Sequence, residues 1–275
     1  MTTKIQLNFH KKIKFVLGEA SEMLNLIYER ELEGLSNKVS NLKDSSIFGP
    51  NKVTALLSWL KGFEFIKLDK NRGYILTANG KYIFEQDPQF KSDITHFIMH
   101  YFMSKNSILW NFFITEFLPY NSVFSREDLT YEIQEFFNLN KISDASKHIL
   151  PILNFYLADN FMIKAFDKDL LSINANNSFI SNNINPPNIY VFLFCLNDWW
   201  QNNFKDSMSV LRNDLIDSND DAYGKIIGIN QADLGNWLAK LHQMQFINEH
   251  LSVAPYTIDK KWNIKSLDIL EKAYE

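Results

Sequence analysis

Apolar residues recur at helical spacing directly after a Gly-Pro pair at positions 49–50. They are Val53, Leu56, Leu57 and Leu60, the i, i+3, i+4, i+7 pattern that marks the buried face of an amphipathic helix. A glycine follows at position 62, and glycine adopts the left-handed conformation that ends many helices. The pattern predicts a helix of about three turns from Asn51 to Lys61.

Two short apolar runs, residues 65–68 and 74–76, follow this helix and predict strands. The polar stretch Asp69-Lys70-Asn71-Arg72-Gly73 between them is typical of a hairpin turn. Helical spacing also predicts a helix within residues 9–34, a weaker one over 36–42, and another that starts near Thr77. Three helices followed by a hairpin is the order of a winged helix-turn-helix, so we expect one here.

The same order recurs twice along the chain. In the middle, a capping box at residues 125–128 starts one helix, Ser143 caps the next, which runs to Leu157, and strands are expected at 161–163 and 170–173. Near the carboxyl end, helices are expected at 188–203 with Pro187 in the first turn, 206–215 and 230–244, followed by strands at 246–247 and 251–253. The Asn- and Ser-rich stretch 172–187 is expected to be a surface connection.

These patterns predict a mainly α fold with small β-hairpins (α+β), built from tandem winged helix-turn-helix-like units. We expect an N-terminal unit (residues 1–88), a middle unit (89–183) and a C-terminal unit (184–275). A chain of 275 residues is long enough for several such cores.

Charge is unevenly distributed among these units. The whole chain has a net charge of −4, yet residues 1–83 hold 13 Lys and Arg against 8 Asp and Glu, while residues 84–184 hold 7 against 12 and residues 185–275 hold 8 against 12. Nucleic acids are bound largely through phosphate neutralisation. The N-terminal unit is therefore the expected site for double-stranded DNA.

The predicted DNA-binding residues lie on the third helix, away from its leucines, and on the hairpin. They are Asn51, Lys52, Thr54, Ala55, Ser58, Trp59, Lys67, Lys70, Asn71 and Arg72. Cations on the hairpin would contact phosphate, and side chains on the helix would face the bases. The alternative is that Trp59 packs on the helix after Thr77 and that the cations are merely solvated.

Signals for catalysis are weak. His96 and His100 have the spacing of paired metal ligands but lack a third ligand, and the acidic residues Glu127, Asp128, Glu132 and Glu135 suit the first turns of a capped helix. No glycine-rich phosphate loop is present. We expect no catalytic residues, no metal and no cofactor.

Trp199 and Trp200 belong to the densest aromatic patch of the sequence. Adjacent helical residues point about 100° apart, so one of the two is expected to be core and the other partly exposed as a protein-docking anchor. The acidic charge of the C-terminal unit favours a protein partner or a homodimer mate there over DNA.

The single cysteine, Cys195, lies in the apolar run 191–196 and predicts a buried thiol rather than a nucleophile. It excludes an internal disulfide, which suits a reducing compartment. The first residues lack the apolar stretch of a signal peptide, and no apolar run is long enough for a membrane span. We therefore expect a cytoplasmic protein with no membrane association.

Several stretches resemble a known family in their order along the chain. They are Gly49-Pro50-Asn51-Lys52-Val53, Gly62-Phe63-Glu64-Phe65-Ile66, Leu76-Thr77-Ala78-Asn79-Gly80, Trp110-Asn111-Phe112-Phe113 and Phe124-Ser125-Arg126-Glu127-Asp128-Leu129, with Trp59, Asp87-Pro88 and His100-Tyr101. The sequence thereby resembles the uncharacterised prokaryotic family called domain of unknown function 4007 (DUF4007). Members tend to open with Gly-His-Glu-Thr-Phe, of which this chain keeps only Asn8-Phe9-His10, followed by two lysines.

The resemblance implies a bacterial protein encoded beside sulfurtransferase-like enzymes related to phosphoadenosine phosphosulfate reductase, in clusters that modify DNA or resist phage. Three hypotheses follow. The first is a non-enzymatic, DNA-binding accessory or regulatory protein of such a system. The second is a protein-protein adaptor whose winged helices do not touch DNA, and the third is a subunit of a nucleic-acid-processing enzyme.

Overall fold

The computed structural model describes residues 6–156, 170–216 and 221–275. Within them the chain is mainly helical, with small antiparallel sheets. This confirms the predicted fold class. None of the helices in these ranges combines the length and apolar character needed to traverse a bilayer.

The N-terminal unit follows the predicted order of elements closely. Its elements are α1 (Leu17–Leu32), α2 (Val39–Ser45), α3 (Pro50–Gly62), β1 (Ile66–Asp69), β2 (Gly73–Leu76) and α4 (Ala78–Gln86). Antiparallel pairing of β1 and β2 sets Ile66 opposite Leu76. The first helix begins later than predicted, because Lys11 and Lys12 adopt left-handed backbone conformations with φ of 50° and 62°.

The middle unit contains more elements than its sequence pattern predicts. They are α5 (Asp93–Asn106), α6 (Ile108–Phe112), a π-helical turn (Phe113–Phe117), a 3-10 turn (Leu118–Tyr120), β3 (Val123–Phe124), α7 (Arg126–Phe136), α8 (Ile142–Ser146), α9 (Ile149–Tyr156), β4 (Leu171–Ile173) and β5 (Phe179–Ser181). The capping box is confirmed, since Ser125 and Asp128 exchange side-chain and backbone hydrogen bonds. Ser143 caps no helix because it lies inside α8.

The predicted connection between the middle and C-terminal units was partly wrong. Residues 171–181 form the hairpin of β4 and β5, and the Asn-rich sequence makes its turn. The Asn174 side-chain oxygen accepts hydrogen bonds from the amides of Asn176 and Ser178, a local use of Asn that explains this composition. The strand predicted at 161–163 lies outside the described residues.

The C-terminal unit contains two strands and two helices that the sequence pattern did not reveal, at residues 209–211, 257–260, 223–226 and 266–274. Its elements are α10 (Ile189–Asn203), β6 (Ser209–Leu211), α11 (Arg212–Ile216), α12 (Tyr223–Ile226), α13 (Gln231–Gln243), β7 (Ile247–His250), β8 (Thr257–Lys260) and α14 (Ser266–Tyr274). The helix predicted at 206–215 is instead β6 and the short α11. The strand predicted at 251–253 is a loop, and Pro187 precedes the helix that Asn188 caps.

One sheet topology recurs in the middle and C-terminal units. The strand orders are β3-β5-β4 and β6-β8-β7, so in each case the strand before the helices pairs with the last strand of the hairpin. In the N-terminal unit a single residue between α1 and α2, Asn37, bridges to Gly73 in the parallel sense, whereas the corresponding strands of the other two units pair antiparallel. The middle and C-terminal units therefore share one sheet topology, and the N-terminal unit has the same order of helices and hairpin without a third strand among its described residues.

The units pack into one body. Buried apolar side chains from all three belong to a continuous core. The final helix α14 packs on α10 and also on α4 of the N-terminal unit. The hydroxyl of Tyr274 on α14 lies 2.7 Å from that of Thr95 on α5 of the middle unit. The faces through which the units could bind other molecules are therefore partly used within the chain.

Candidate nucleic-acid interface

The hairpin of the N-terminal unit presents its predicted cations to solvent. Lys67, Lys70, Asn71 and Arg72 are exposed. The turn is organised by Asp69, whose Oδ1 accepts hydrogen bonds from the amides of Asn71 (2.9 Å) and Arg72 (2.8 Å). These backbone hydrogen bonds, first that of Arg72, lower the pKa of the Asp69 carboxyl. Three cationic side chains therefore lie around the Asp69 carboxylate, which is hydrogen-bonded to backbone amides of the turn.

The base of the hairpin is fixed by a residue that the sequence pattern did not single out. The amide of Asn37 donates to the carbonyl of Arg72 at 2.7 Å, and the amide of Tyr74 donates to the carbonyl of Asn37 at 3.0 Å. The Arg30 guanidinium donates in turn to the Asn37 side chain at 3.1 Å. Gly73 permits this approach with a φ of +86°, so the hairpin has a defined position relative to α1 and α2.

The outer face of α3 does not face solvent, and this part of the prediction was wrong. Trp59 and Ala55 are both 0% exposed. The indole packs against Phe9, Phe155 and Trp110, because the N-terminal segment and the middle unit cover the helix. Periodicity locates the faces of a helix but does not reveal whether a neighbouring unit covers the second face. Neither residue can contact DNA in this structure.

The remaining predicted side chains of α3 are partly engaged within the protein. Lys52 forms an ion pair with Glu19. The hydroxyl of Thr54 donates to the carbonyl of Pro50 at 3.0 Å, and that of Ser58 donates to the carbonyl of Thr54 at 2.9 Å. These three are half-buried, while Asn51 is exposed. The free cations of the predicted interface thus lie on the hairpin rather than on α3.

The N-terminal segment contributes further exposed cations at Lys11, Lys12 and Lys14. The residues before them are structural, since Phe9 and His10 are buried. Nε2 of His10 lies 3.0 Å from Nδ1 of His148, which joins this segment to the middle unit. Sequence alone offered no signal for a pair separated by so many residues.

The two imidazoles are neutral partners. Nδ1 of His10 accepts a hydrogen bond from the amide of Lys12, so the His10 proton lies on Nε2 and is donated to His148. Burial, followed by the charges of His148 and Lys147, lowers the pKa of His10 to about 4. Burial and Lys147 likewise lower the pKa of His148 to about 4, against an opposing effect of Asp144. Protonation of this pair is disfavoured in the folded state.

The predicted docking tryptophans are both buried, so this prediction was wrong. Trp199 is 3% exposed and Trp200 is 0% exposed. Their indole N–H groups donate to the carbonyls of Asp221 at 2.7 Å and Ser207 at 2.8 Å. The two rings point in different directions, as expected, but the chain covers both. They anchor loops of the C-terminal unit and are not available to a partner.

The histidines of α5 have the structural role that their spacing alone left open. His96 Nε2 lies 2.6 Å from the carbonyl of Phe90. His100 bonds to the Tyr156 hydroxyl at 2.9 Å and to the carbonyl of Ile227 at 3.2 Å, and it is fully buried. His100 thereby joins the middle unit to the C-terminal unit, and no substrate can reach it.

The other residues considered for catalysis, the carboxylates of α7 and the cysteine, also have structural surroundings. The exposed carboxylates Glu127 and Asp128 occupy the first turn of α7, with Glu132 and Glu135 later on the same helix. Cys195 is buried, and burial raises the pKa of its thiol well above the ordinary value. Among the described residues, no three His, Cys, Asp or Glu side chains are grouped as ligands for a metal ion.

The fold resembles solved structures, although no family model and no curated protein matches the chain. Two crystal structures are similar over the whole chain and over 88% of their own length, titled "Magnesium ion-bound SspB crystal structure" (TM-score 0.75, 14% identity) and "SspB crystal structure" (TM-score 0.74, 15% identity). The chain therefore has the fold of SspB.

Proposed function

We propose that this chain is a non-enzymatic DNA-binding accessory protein of a bacterial DNA-modification or anti-phage system. Its sequence resemblance to DUF4007 and its SspB-like fold over the full length support this proposal. Duplex DNA is contacted by the exposed hairpin of the N-terminal unit. Because α3 is covered, these contacts are made to the phosphate backbone rather than to bases.

The exposed cationic turn at residues 67–72 is the observation that carries the proposal. Lys67, Lys70 and Arg72 extend from a hairpin whose base is tied to Asn37, so the backbone that carries them is fixed before DNA arrives. A preorganised backbone loses less conformational entropy on binding. The nearby carboxylate of Asp69 is occupied by backbone amides. Phosphate contact at this turn gives affinity without sequence preference.

A salt titration of duplex binding tests this proposal. The logarithm of the binding constant should fall steeply with the logarithm of salt concentration, because each phosphate contact releases counterions. Replacement of Lys67, Lys70 and Arg72 by Gln should reduce the slope by about one for each phosphate that is no longer neutralised. Lys141→Gln, at an exposed lysine of the middle unit outside the hairpin, is the matched control. Absence of binding at about 50 mM salt would exclude the proposal.

A protein-protein adaptor is the second candidate, and exposed apolar side chains of the middle unit favour it. Phe136, Ile142 and Leu150 on α7, α8 and α9 are each more than half exposed, and exposed apolar surface of this kind often marks a protein interface. The sulfurtransferase-like protein implied by the family resemblance is the partner to test. Co-elution of the two purified proteins, lost in Phe136→Ser, would support the adaptor.

An enzyme subunit is the third hypothesis from the sequence. Its test is metal-dependent DNA cleavage that disappears when Glu127 is replaced by Gln. Glu127 is exposed, so this substitution should leave folding intact and report on chemistry alone.

A further inference from the structure

Helices α3 and α13 occupy the same place in their units. Each contains 13 residues. Each is followed by a residue with a left-handed backbone, Glu64 (φ 57°) or Gln245 (φ 61°). The next amide then donates to the carbonyl five residues back, from Phe65 to Leu60 at 3.0 Å and from Phe246 to Leu241 at 2.9 Å. The two helices can therefore be compared residue by residue.

This comparison shows that the outer face hidden in α3 is free in α13. Ala55 and Trp59 of α3 correspond to Asn236 and Lys240 of α13. The first two are fully buried, whereas the second two are exposed. Exposure extends along one stripe of α13, and Leu234, Leu238 and Leu241 are buried on the other side. The exposed stripe consists of Ala232, Asn236, Ala239, Lys240 and Gln243.

The side chains of this stripe suit the edges of base pairs. Asn and Gln amides form paired hydrogen bonds with adenine, and lysine donates to guanine in the major groove. Within the described ranges, no hydrogen bond occupies the amides of Asn236 or Gln243. The two alanines lack bulk, which lets the helix approach closely. Lys240 Nζ lies 4.1 Å from the centre of the Trp237 ring, so its position along the helix is defined.

Charge around the end of α13 is complementary to DNA although the unit as a whole is acidic. His242 and Lys261 line a polar groove with Gln243, Gln245 and Asn248. The nearest carboxylates of the sheet are paired, Asp259 with His250 at 2.8 Å and Glu249 with Arg212 at 3.8 Å. Asp233 lies in the first turn of α13, where its carboxylate accepts a hydrogen bond from the side chain of Asn230, and further acidic side chains of the unit lie at positions 198, 206, 214, 221, 268, 271 and 275. At the C-terminal end of α13 a polyanion therefore meets Lys240 and Lys261.

We propose that α13 enters the major groove of duplex DNA and that Asn236, Lys240 and Gln243 contact base edges. In helix-turn-helix proteins the recognition helix occupies the major groove in this way. This inference rests on the proposed DNA-binding function and adds sequence selectivity to the backbone contacts of the N-terminal hairpin. It moves base recognition from the first unit to the third.

Selection from a random-core duplex library with the full chain tests the inference. Sequences enriched by the wild type are titrated by fluorescence anisotropy beside a scrambled duplex. The wild type should prefer the enriched duplex by about tenfold or more, and Asn236→Ala with Gln243→Ala should lose most of that preference, since the paired hydrogen bonds to base edges are then gone. Their affinity for the scrambled duplex should stay within about twofold, because phosphate contacts are unchanged.

A second variant guards against effects on folding. Ala239→Glu places a carboxylate on the exposed stripe and should abolish the sequence preference, whereas Gln201→Glu makes the same charge change at an exposed position near the end of α10 and should not. Wild-type selection without enrichment, or the same enriched sequences from the Asn236→Ala, Gln243→Ala protein, would overturn the inference. If only the hairpin variants change duplex binding, the proposed function stands and base contact by α13 is rejected. If Ala239→Glu abolishes only the binding of a protein partner, base contact by α13 is likewise rejected.

Discussion

The indole of Trp59 stacks on the ring of Phe155, with centroids 5.6 Å apart and an angle of 7° between the planes. Trp59 belongs to α3 and Phe155 to α9, so these helices of the N-terminal and middle units face each other. Phe9 and Trp110 meet the same indole edge to face. The face of α3 that the sequence pattern predicted to contact DNA is here an interface between units.

Truncation of this indole should destabilise the protein rather than weaken DNA binding selectively. Trp59→Ala removes a side chain that is 0% exposed, and Trp→Ala changes in a core cost about 3–5 kcal/mol. Urea denaturation followed by circular dichroism measures the free energy of unfolding. A loss below about 1 kcal/mol would contradict the packing described here.

Trp59→Phe is the matched control for this prediction. The indole N–H of Trp59 has no acceptor among the described residues, so phenylalanine sacrifices no hydrogen bond and leaves a smaller cavity. Its cost should be well below that of the alanine variant. Duplex affinity of Trp59→Phe should match the wild type, whereas a tryptophan that stacked on bases would show a clear loss.

The contrast between α3 and α13 shows what sequence patterns can and cannot predict. The leucines of both helices identify their buried sides, and both helices lie where periodicity predicts them. Trp59 and Lys240 occupy corresponding positions, and the apolar character of the first was itself a signal of coverage. Which unit covers it depends on long-range packing, because Phe155 follows in the chain by almost a hundred residues.

Short elements were predicted less well for a related reason. The strand β6 spans only Ser209–Leu211 and β3 only Val123–Phe124, too few residues to show alternation. Asn37 makes a one-residue bridge, which depends on the position of Gly73 rather than on local pattern. Helix α14 was not predicted either. In this case the signal was present, because its sequence has a clear apolar face.

Gly73→Ala should detach the cationic hairpin from the rest of the N-terminal unit. A Cβ atom at Gly73 would lie 2.4 Å from the backbone of Asn37, so one of the two segments must move. The expected cost exceeds the roughly 1–2 kcal/mol of placing an L-residue in the left-handed region, and hydrogen exchange at the amides of Asn37 and Tyr74 should accelerate.

Gly34→Ala separates backbone strain from steric overlap. Gly34 also has a positive φ, of +71°, but no atom lies within 4 Å of its added Cβ. This variant should show the conformational cost alone, with normal exchange at Asn37. Equal destabilisation by the two substitutions would mean that the contact between Gly73 and Asn37 contributes nothing.

Stability should fall as the pH is lowered from about 6.5 to about 4 because of His10 and His148. Both have a pKa of about 4 in the folded protein against an ordinary value of 6.5, so the unfolded chain binds more protons in this range. Above pH 6.5 the neutral pair contributes its full stabilisation. As the pH falls below 6.5, each histidine lowers the free energy of unfolding by up to about 1.4 kcal/mol per pH unit. Urea unfolding at several pH values measures this slope.

His10→Gln tests whether the pair of His10 and His148 causes this pH dependence. Glutamine does not titrate, so the variant should have a shallower slope between pH 6.5 and 4 even though its stability at neutral pH is lower. Part of the slope should persist, because His100 also has a pKa of about 4 that burial lowers. An unchanged slope would show that the pair does not stay neutral on folding.

Lys105→Met should loosen all three units at once. Lys105 of the middle unit donates to Glu64 of the N-terminal unit at 3.0 Å and to Asp198 of the C-terminal unit at 2.7 Å. Burial alone would lower the pKa of Lys105, but the two carboxylates outweigh it and raise that pKa, so the lysine is charged at neutral pH. The side chains of Lys105 and Asp198 are 14% and 20% exposed. Removing the lysine should therefore cost more than the roughly 1 kcal/mol of an exposed pair and less than the roughly 3–5 kcal/mol of a fully buried one, since Asp198 loses its compensating charge.

Adding Asp198→Asn to Lys105→Met should restore part of the lost stability, because the uncompensated carboxylate is then gone. The double-mutant cycle measures the coupling between the two residues. Lys81→Met, which removes a more exposed cation next to Glu85, should cost less than about 1 kcal/mol and serves as the control. A coupling energy near zero would mean that this lysine does not hold the units together, and that apolar packing around Trp59 and α14 alone does so.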